Sequence, residues 1–170
     1  KLADIRVFGE VSSDAVLMGQ DDWMFYKLKN ENEDSLADYQ GTNRYPEEKL
    51  ECFARLLEQA DHHLASRDIK LILYIVPNKE QVYSEYMPSG IKVVNEESKA
   101  DRLFEYLRDH TDADVYYPLE EFKRAKDDWC QIYRKYDTHW NDMGAFLASQ
   151  MVIRDIDNEK FGPESYMEYP

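Results

Sequence analysis

Apolar and polar positions follow two different periods along this chain, and the change from one to the other outlines the fold. Leu50, Phe53, Ala54, Leu57, Ala60 and Leu64 recur at three- and four-residue spacing, the stripe with which a helix buries one side. Pro46 suits a first helical turn, and Glu47 and Glu48 favour its positive end, so a helix is predicted over 46–66. Residues 69–76, IKLILYIV, are instead a nearly continuous apolar run rich in β-branched side chains. That pattern predicts a strand covered on both faces, as in a parallel sheet.

The remaining segments fill in around these two. A short strand is predicted at 5–9 and a hairpin at 16–26, where two apolar runs flank Gly19-Gln20-Asp21-Asp22. Residues 30–38 are polar and read as loop. Pro77 stops the apolar run, and a short helix follows at 81–86. A helix is expected at 97–110 with Leu103, Phe104 and Leu107 inward, then a strand at 113–117 and a helix at 118–125. Asn141 can cap a last helix to 156, with Phe146, Leu147, Met151 and Val152 on its apolar side. Helix, buried strand, helix, strand, helix implies βαβ units and an α/β sheet.

A chain of 170 residues is long enough for one domain with a core of its own. Its 35 acidic and 21 basic residues leave a net charge of −14, which argues against nucleic acid or an anionic membrane surface as partner. The 13 tyrosines include rings that can stack on sugars, although most are expected to fill core. Cys52 and Cys130 are far apart and lack CxxC spacing, which disfavours zinc and dithiol redox chemistry; whether they form a disulfide stays open. The chain has no transmembrane-length apolar run and no recognisable signal peptide. Starting at Lys1, it reads as part of a longer protein whose beginning could hold a signal or anchor.

Candidate chemistry concentrates in Tyr136-Asp137-Thr138-His139-Trp140-Asn141. An Asp and a His two apart, on a turn entering a helix, suit the base half of a Ser-His-Asp relay. Trp140 could shield the imidazole from water, and Tyr136 precedes the pair. A second group, Pro77-Asn78-Lys79-Glu80, lies at the C-terminal end of the predicted buried strand, where open α/β sheets bind ligands. There Asn78 could donate to an oxyanion and Lys79 could hold an anionic group; the alternative is a solvated turn. His62 and His63 read as surface residues. Asp137 and His139 have no evident third partner for a metal site, and no cofactor is expected. No serine sits in a recognisable nucleophile motif.

These residues carry a family resemblance. Asp137-Thr138-His139-Trp140-Asn141, with Tyr136 before it and Gly144 after, resembles the DTHW-type motif of the alginate O-acetyltransferase-like (AlgX/AlgJ) family of the SGNH hydrolase superfamily. Gly19 to Tyr26, GQDDWMFY, is similar to the family's G-x-D-G-W-L-F-Y segment, with Asp22 where glycine is frequent. Val76 to Tyr83, VPNKEQVY, is similar to its P-x-K-x-x-V-Y segment.

The resemblance implies a three-layer α/β/α, flavodoxin-like SGNH fold, present in part over a single domain 1–170. It implies acetyl transfer to or from hydroxyls of an extracellular polysaccharide, with Asp137 as relay carboxylate and His139 as base. It also implies a serine from a later Gly-Asp-Ser-like motif, so the chain would be the first half of the catalytic domain. Asn78, Trp140 and Tyr136 are the candidate substrate contacts. Implied partners are the polysaccharide and an acetyl donor, such as a membrane acyl-transfer protein. The implied location is extracytoplasmic, periplasmic or at the cell surface. Two alternatives stand beside this: Ser12 or Ser13 as a displaced nucleophile, and a non-catalytic carbohydrate-binding or assembly protein. An incomplete sheet could also pair edge to edge in a homodimer.

Overall fold

The Gly19-Gln20-Asp21-Asp22 turn folds the first two apolar runs onto each other. In the computed structural model, which describes residues 15–27, 29, 30 and 33–161, β1 (Val16–Met18) pairs antiparallel with β2 (Met24–Tyr26). Val16 faces Tyr26, Leu17 faces Phe25 and Met18 faces Met24 across a 3₁₀ turn at Gln20–Asp22. The turn puts Asp21 and Asp22 at φ 50° and 60°, the left-handed region that Asp enters more readily than most residues. Gly19 is required for a different reason: a Cβ there would lie 2.2 Å from the Tyr86 carbonyl oxygen. The strand expected at 5–9, and Ser12 and Ser13, lie outside the described residues.

Within the segment read as loop, residues 34–38 are ordered by a helix and its cap. Asp34 Oδ1 accepts from Ala37 N at 3.0 Å and caps the short helix α1 (Ser35–Tyr39), whose Leu36 and Tyr39 reach the core. The long stripe forms α2 (Glu47–Ala65), with Leu50 and Ala54 buried. Its His62 and His63 are exposed, as the sequence suggests. The apolar run becomes β3 (Ile72–Tyr74), followed by α3 (Lys79–Val82) and a 3₁₀ turn at Ser84–Tyr86. Ser98 and Asp101 form a capping box that starts α4 (Lys99–His110). Then come β4 (Asp114–Tyr116), α5 (Leu119–Asp128) and α6 (Asp142–Phe161).

β3 and β4 run parallel, with Ile72 opposite Asp114, Leu73 opposite Val115 and Tyr74 opposite Tyr116. α4 makes the crossover between them, the βαβ unit expected from the order of elements. The strand differs from expectation in burial. All three β3 residues are half-buried, and Ile69 and Val76 are 49% and 45% exposed. Among the described residues β3 pairs with β4 along one edge, and the elements packed on its faces leave them partly open. The core sits elsewhere, where Trp23, Phe25, Val82, Tyr83, Phe122, Ile132, Tyr133 and Leu147 meet. Phe122 and Ile132 are fully buried, and sealing a side chain of this size contributes about 1.5–3 kcal/mol. Cys52 and Cys130 are free thiols.

Candidate active site

Between α5 and α6 the chain doubles back tightly and ends by capping a helix. Tyr133 and Trp140 form an antiparallel bridge, Arg134 N donates to His139 O at 3.1 Å and Asn141 N to Ile132 O at 3.0 Å. Asn141 Oδ1 accepts from Met143 N and Gly144 N, both at 3.0 Å, the capping role expected of it. A Cβ at Gly144 would lie 2.4 Å from the Ile132 carbonyl oxygen, so only glycine lets α6 approach this loop.

Asp137 and His139 meet at its tip. Asp137 Oδ1 accepts from His139 N at 2.9 Å and lies 2.6 Å from Nδ1 of the ring. The His139 backbone N–H, then its ring, hold the Asp137 carboxyl down at about 2, so it is ionised at any ordinary pH. A carboxylate on Nδ1 fixes the tautomer that leaves Nε2 to take a proton. The imidazole is 79% exposed and is not shielded by Trp140. The indole stacks on Phe122 instead, 6.3 Å between centroids, and packs against the core. Tyr136 is 65% exposed, with the Lys135 ammonium 5.6 Å from its ring centre.

Lys79 supplies the loop's anchor. It is neither a solvated turn residue nor a holder of anions: it is 2% exposed. Its ammonium donates to Met24 O at 2.6 Å, Arg134 O at 2.8 Å, and Lys135 O and Asp137 O at 3.0 Å each. The Trp23 and Phe25 rings lie 4.9 and 5.0 Å from Nζ, a cation–π setting. Burial pushes this amine down to about 8, against the pull of Glu80 and Asp137. Neighbouring tyrosines complete the anchor. Ile132 N donates to the Tyr83 hydroxyl at 3.0 Å, and the Tyr133 hydroxyl donates to Pro77 O. Trp23 in turn stacks on Tyr83 and Tyr86, at 4.4 and 4.7 Å.

His139 opens on a cavity of about 370 Å³ lined also by Ser35, Asp38, Asn78, Glu80 and Thr138. Asn78 is exposed and its side chain makes no cap bond, so the amide is available to the cavity. Ser35 is the serine nearest in role to a nucleophile, but its hydroxyl donates to Tyr26 O at 2.9 Å. Tyr136 and Trp140 do not line this cavity. Among the described residues, no group of three His, Cys, Asp or Glu could hold a metal.

A family model described as the SGNH hydrolase-like domain of acetyltransferase AlgX matches residues 16–169. The chain belongs to that family. The AlgX-like chain is 25% identical over 164 residues to the probable alginate O-acetylase AlgJ of Pseudomonas putida, covering 92% of this chain and 37% of that protein. With AlgJ of Pseudomonas syringae pv. tomato it shares 26% over 155 residues, 88% of this chain and 35% of that one. It therefore spans little more than a third of these relatives' length. Among solved structures, the O-acetyltransferase domain of Pseudomonas putida AlgJ superposes with a TM-score of 0.60 at 21% identity, over 85% of this chain and 48% of that one. Bacillus cereus PatB1 follows at 0.56 and 20%, over 88% and 44%. These likenesses show the α/β SGNH-like fold, of which this AlgX-like chain carries part.

Sequence reasoning placed Lys79 and Glu80 at the strand end but gave Lys79 an anion to hold rather than a loop, and it missed Tyr83. The usable signal was their shared segment, which resembles the family's P-x-K-x-x-V-Y. A lysine and a tyrosine four apart after a strand-ending proline are better placed to hold a loop than to face water.

Proposed function

We propose that this chain supplies the Asp-His half of a Ser-His-Asp relay in an O-acetyltransferase acting on hydroxyls of an extracellular polysaccharide. The observation that carries this is the Asp137 Oδ1 to His139 Nδ1 contact of 2.6 Å at the mouth of a cavity. The names of the AlgJ relatives support the acceptor class, and acting on an exported polymer places the protein outside the cytoplasm. The serine comes from a part of the protein outside this chain, which then holds the first portion of the catalytic domain. The half-covered β3 supports this, since further strands and helices would bury it.

In the first step His139 Nε2 takes the serine proton as Oγ bonds to the donor's acetyl carbon. The proton then passes to the leaving group as its bond to that carbon breaks, which leaves an acetyl-serine. In the second step Nε2 takes the acceptor hydroxyl's proton. The new O–C bond forms, the serine ester breaks and the proton returns to Oγ. Asp137 stabilises the imidazolium in both steps and is not itself protonated. Asn78 is the candidate donor to the developing oxyanion.

The test is acetyl-ester cleavage by the full-length protein and by this chain alone, with His139→Ala and Ser35→Ala variants. Cleavage by the full-length protein, lost in His139→Ala, is expected, and none from the isolated chain. Activity of the isolated chain that vanishes in Ser35→Ala would overturn the external serine. A full-length protein that binds oligosaccharide but cleaves no ester would make it a carbohydrate-binding protein instead.

A further inference from the structure

α6 is apolar on more than the side it buries. Leu147 and Met151 turn into the core, and Gly144 meets the loop before the helix. Met143, Phe146, Ile153 and Ile156 turn away from the core and are between 38% and 59% exposed. Met143 lies one turn before Phe146 and Ile156 one turn after Ile153, with two turns between the pairs. The four therefore form a stripe along one broad side of the helix. Ser149 falls within it, but its hydroxyl donates to Ala145 O at 2.8 Å and so asks nothing of solvent. Phe146 also reaches the Trp129 ring, 6.2 Å between centroids, which extends the stripe to the end of α5.

A surface helix gathers its polar residues on the side that meets water, whereas a helix apolar on opposite sides packs on both. A contiguous exposed apolar stripe marks an interaction surface. Another part of the same polypeptide or a second copy could cover it, and two observations favour the first. The stripe starts beside the candidate chemistry: Asn141 caps α6, His139 precedes that cap by two residues, and its ring is exposed. In addition, this chain fills only 48% of the AlgJ O-acetyltransferase domain on which it superposes. The other part of such a fold has to close against the part described, and closure gains most where it removes apolar surface from water.

We propose that the outer side of α6, from Met143 through Phe146 to Ile156, is the seat of the rest of this protein's own catalytic domain, and that seating there carries its serine to His139. The inference rests on the acetyl-transfer reading above and gives it a joint. Phe146 is the central anchor, a large ring that Trp129 covers on one edge only. The segment seated on the first turns of α6 lies against the loop before them, so the same closure takes His139 out of open solvent.

The experiment places the photo-cross-linking residue p-benzoylphenylalanine at position 146, and separately at position 153, of the full-length protein, and maps the adducts by mass spectrometry. Adducts within one polypeptide, to segments outside residues 1–170, are expected at both positions. A covalent dimer on a denaturing gel assigns the stripe to a second copy and overturns the inference, as do adducts confined to residues 1–170 or none at all. Phe146→Asp in the full-length protein should lower Tm by about 3–8 °C and p-nitrophenyl acetate cleavage by about tenfold or more, whereas Phe146→Leu keeps most of both. Unchanged Tm and cleavage in Phe146→Asp also overturn it. If the aspartate variant does not fold by circular dichroism, the adduct map decides. Wild-type protein with the expected adducts but no acetyl-ester cleavage sinks the acetyl-transfer reading while the seat on α6 holds.

Discussion

Replacing Lys79 by methionine tests whether the loop that carries Asp137 and His139 is held from beneath. The ammonium has three protons for four carbonyls, at 2.6, 2.8, 3.0 and 3.0 Å. Methionine keeps the stem and its contact with the Trp23 and Phe25 rings but takes the donor from Met24 O, Arg134 O and Asp137 O, while Lys135 O keeps its bond from Met24 N at 3.0 Å. Each buried acceptor left alone costs about 1–3 kcal/mol. Water entering beneath the opened loop and the removal of a buried charge recover part of that, so a net loss of about 2–4 kcal/mol is expected. For a chain of this size that lowers Tm by about 5–15 °C, read by circular dichroism. A second readout is local. Asp137 O is one of the four carbonyls, so a freed loop lets His139 drift from Oδ1. The Asp137 carboxyl should then rise from about 2 toward its ordinary 3.8, followed by carbon NMR during titration. A Tm within about 2 °C of wild type would refute the energetics. A large drop in Tm with the Asp137 titration unmoved would refute the link between Lys79 and the Asp137–His139 pair.

The Asp137 carboxyl is lowered in the folded protein, so its contribution to stability is complete above 3.8 and is lost as pH falls toward about 2; Asp137→Asn should flatten urea-unfolding stability across that window. Gly144→Ala sets a methyl 2.4 Å from the Ile132 carbonyl oxygen, and should cost about 1–3 kcal/mol by urea unfolding with the same m-value. Asp22 sits at φ 60°, where an L side chain is strained, so Asp22→Gly should stabilise the fold by about 1 kcal/mol and raise Tm.

Sequence pattern located most elements and one chemical pair, for reasons that also explain its errors. Leu50 and Ala54 mark α2 because a helical stripe is a property of neighbours in sequence. Asp137 and His139 were legible because a spacing of two lets one carboxylate reach both the backbone N–H and the ring of the same residue. The short α1 escaped notice because its main signal is a single cap, Asp34 to Ala37 N, inside a polar stretch. The run 69–76 promised more strand than Ile72–Tyr74, since an apolar run states what a segment could bury and not how much surface arrives to cover it. Lys79 was misjudged because burying an ammonium needs carbonyls from β2 and from residues 134, 135 and 137, and no local pattern announces that convergence.

The exposure of His139 makes that convergence necessary. In a buried relay, low dielectric strengthens the Asp-His bond and packing orients the ring. Here the imidazole is 79% exposed and Asp137 47%, so a surface pair of this kind would gain little from mutual attraction alone. Its order has to come from the backbone that carries it. Gly19 admits the Tyr86 carbonyl, Trp23 stacks on Tyr83 and Tyr86, and Tyr83 receives Ile132 N. Lys79 gathers residues 134, 135 and 137, and Gly144 brings α6 against Ile132. The three family-like segments, distant in sequence, are one mechanical unit whose output is the position of a carboxylate and a ring. Damage to Trp23 or Tyr83, neither of which touches the pair, should therefore loosen it as surely as a change at Thr138.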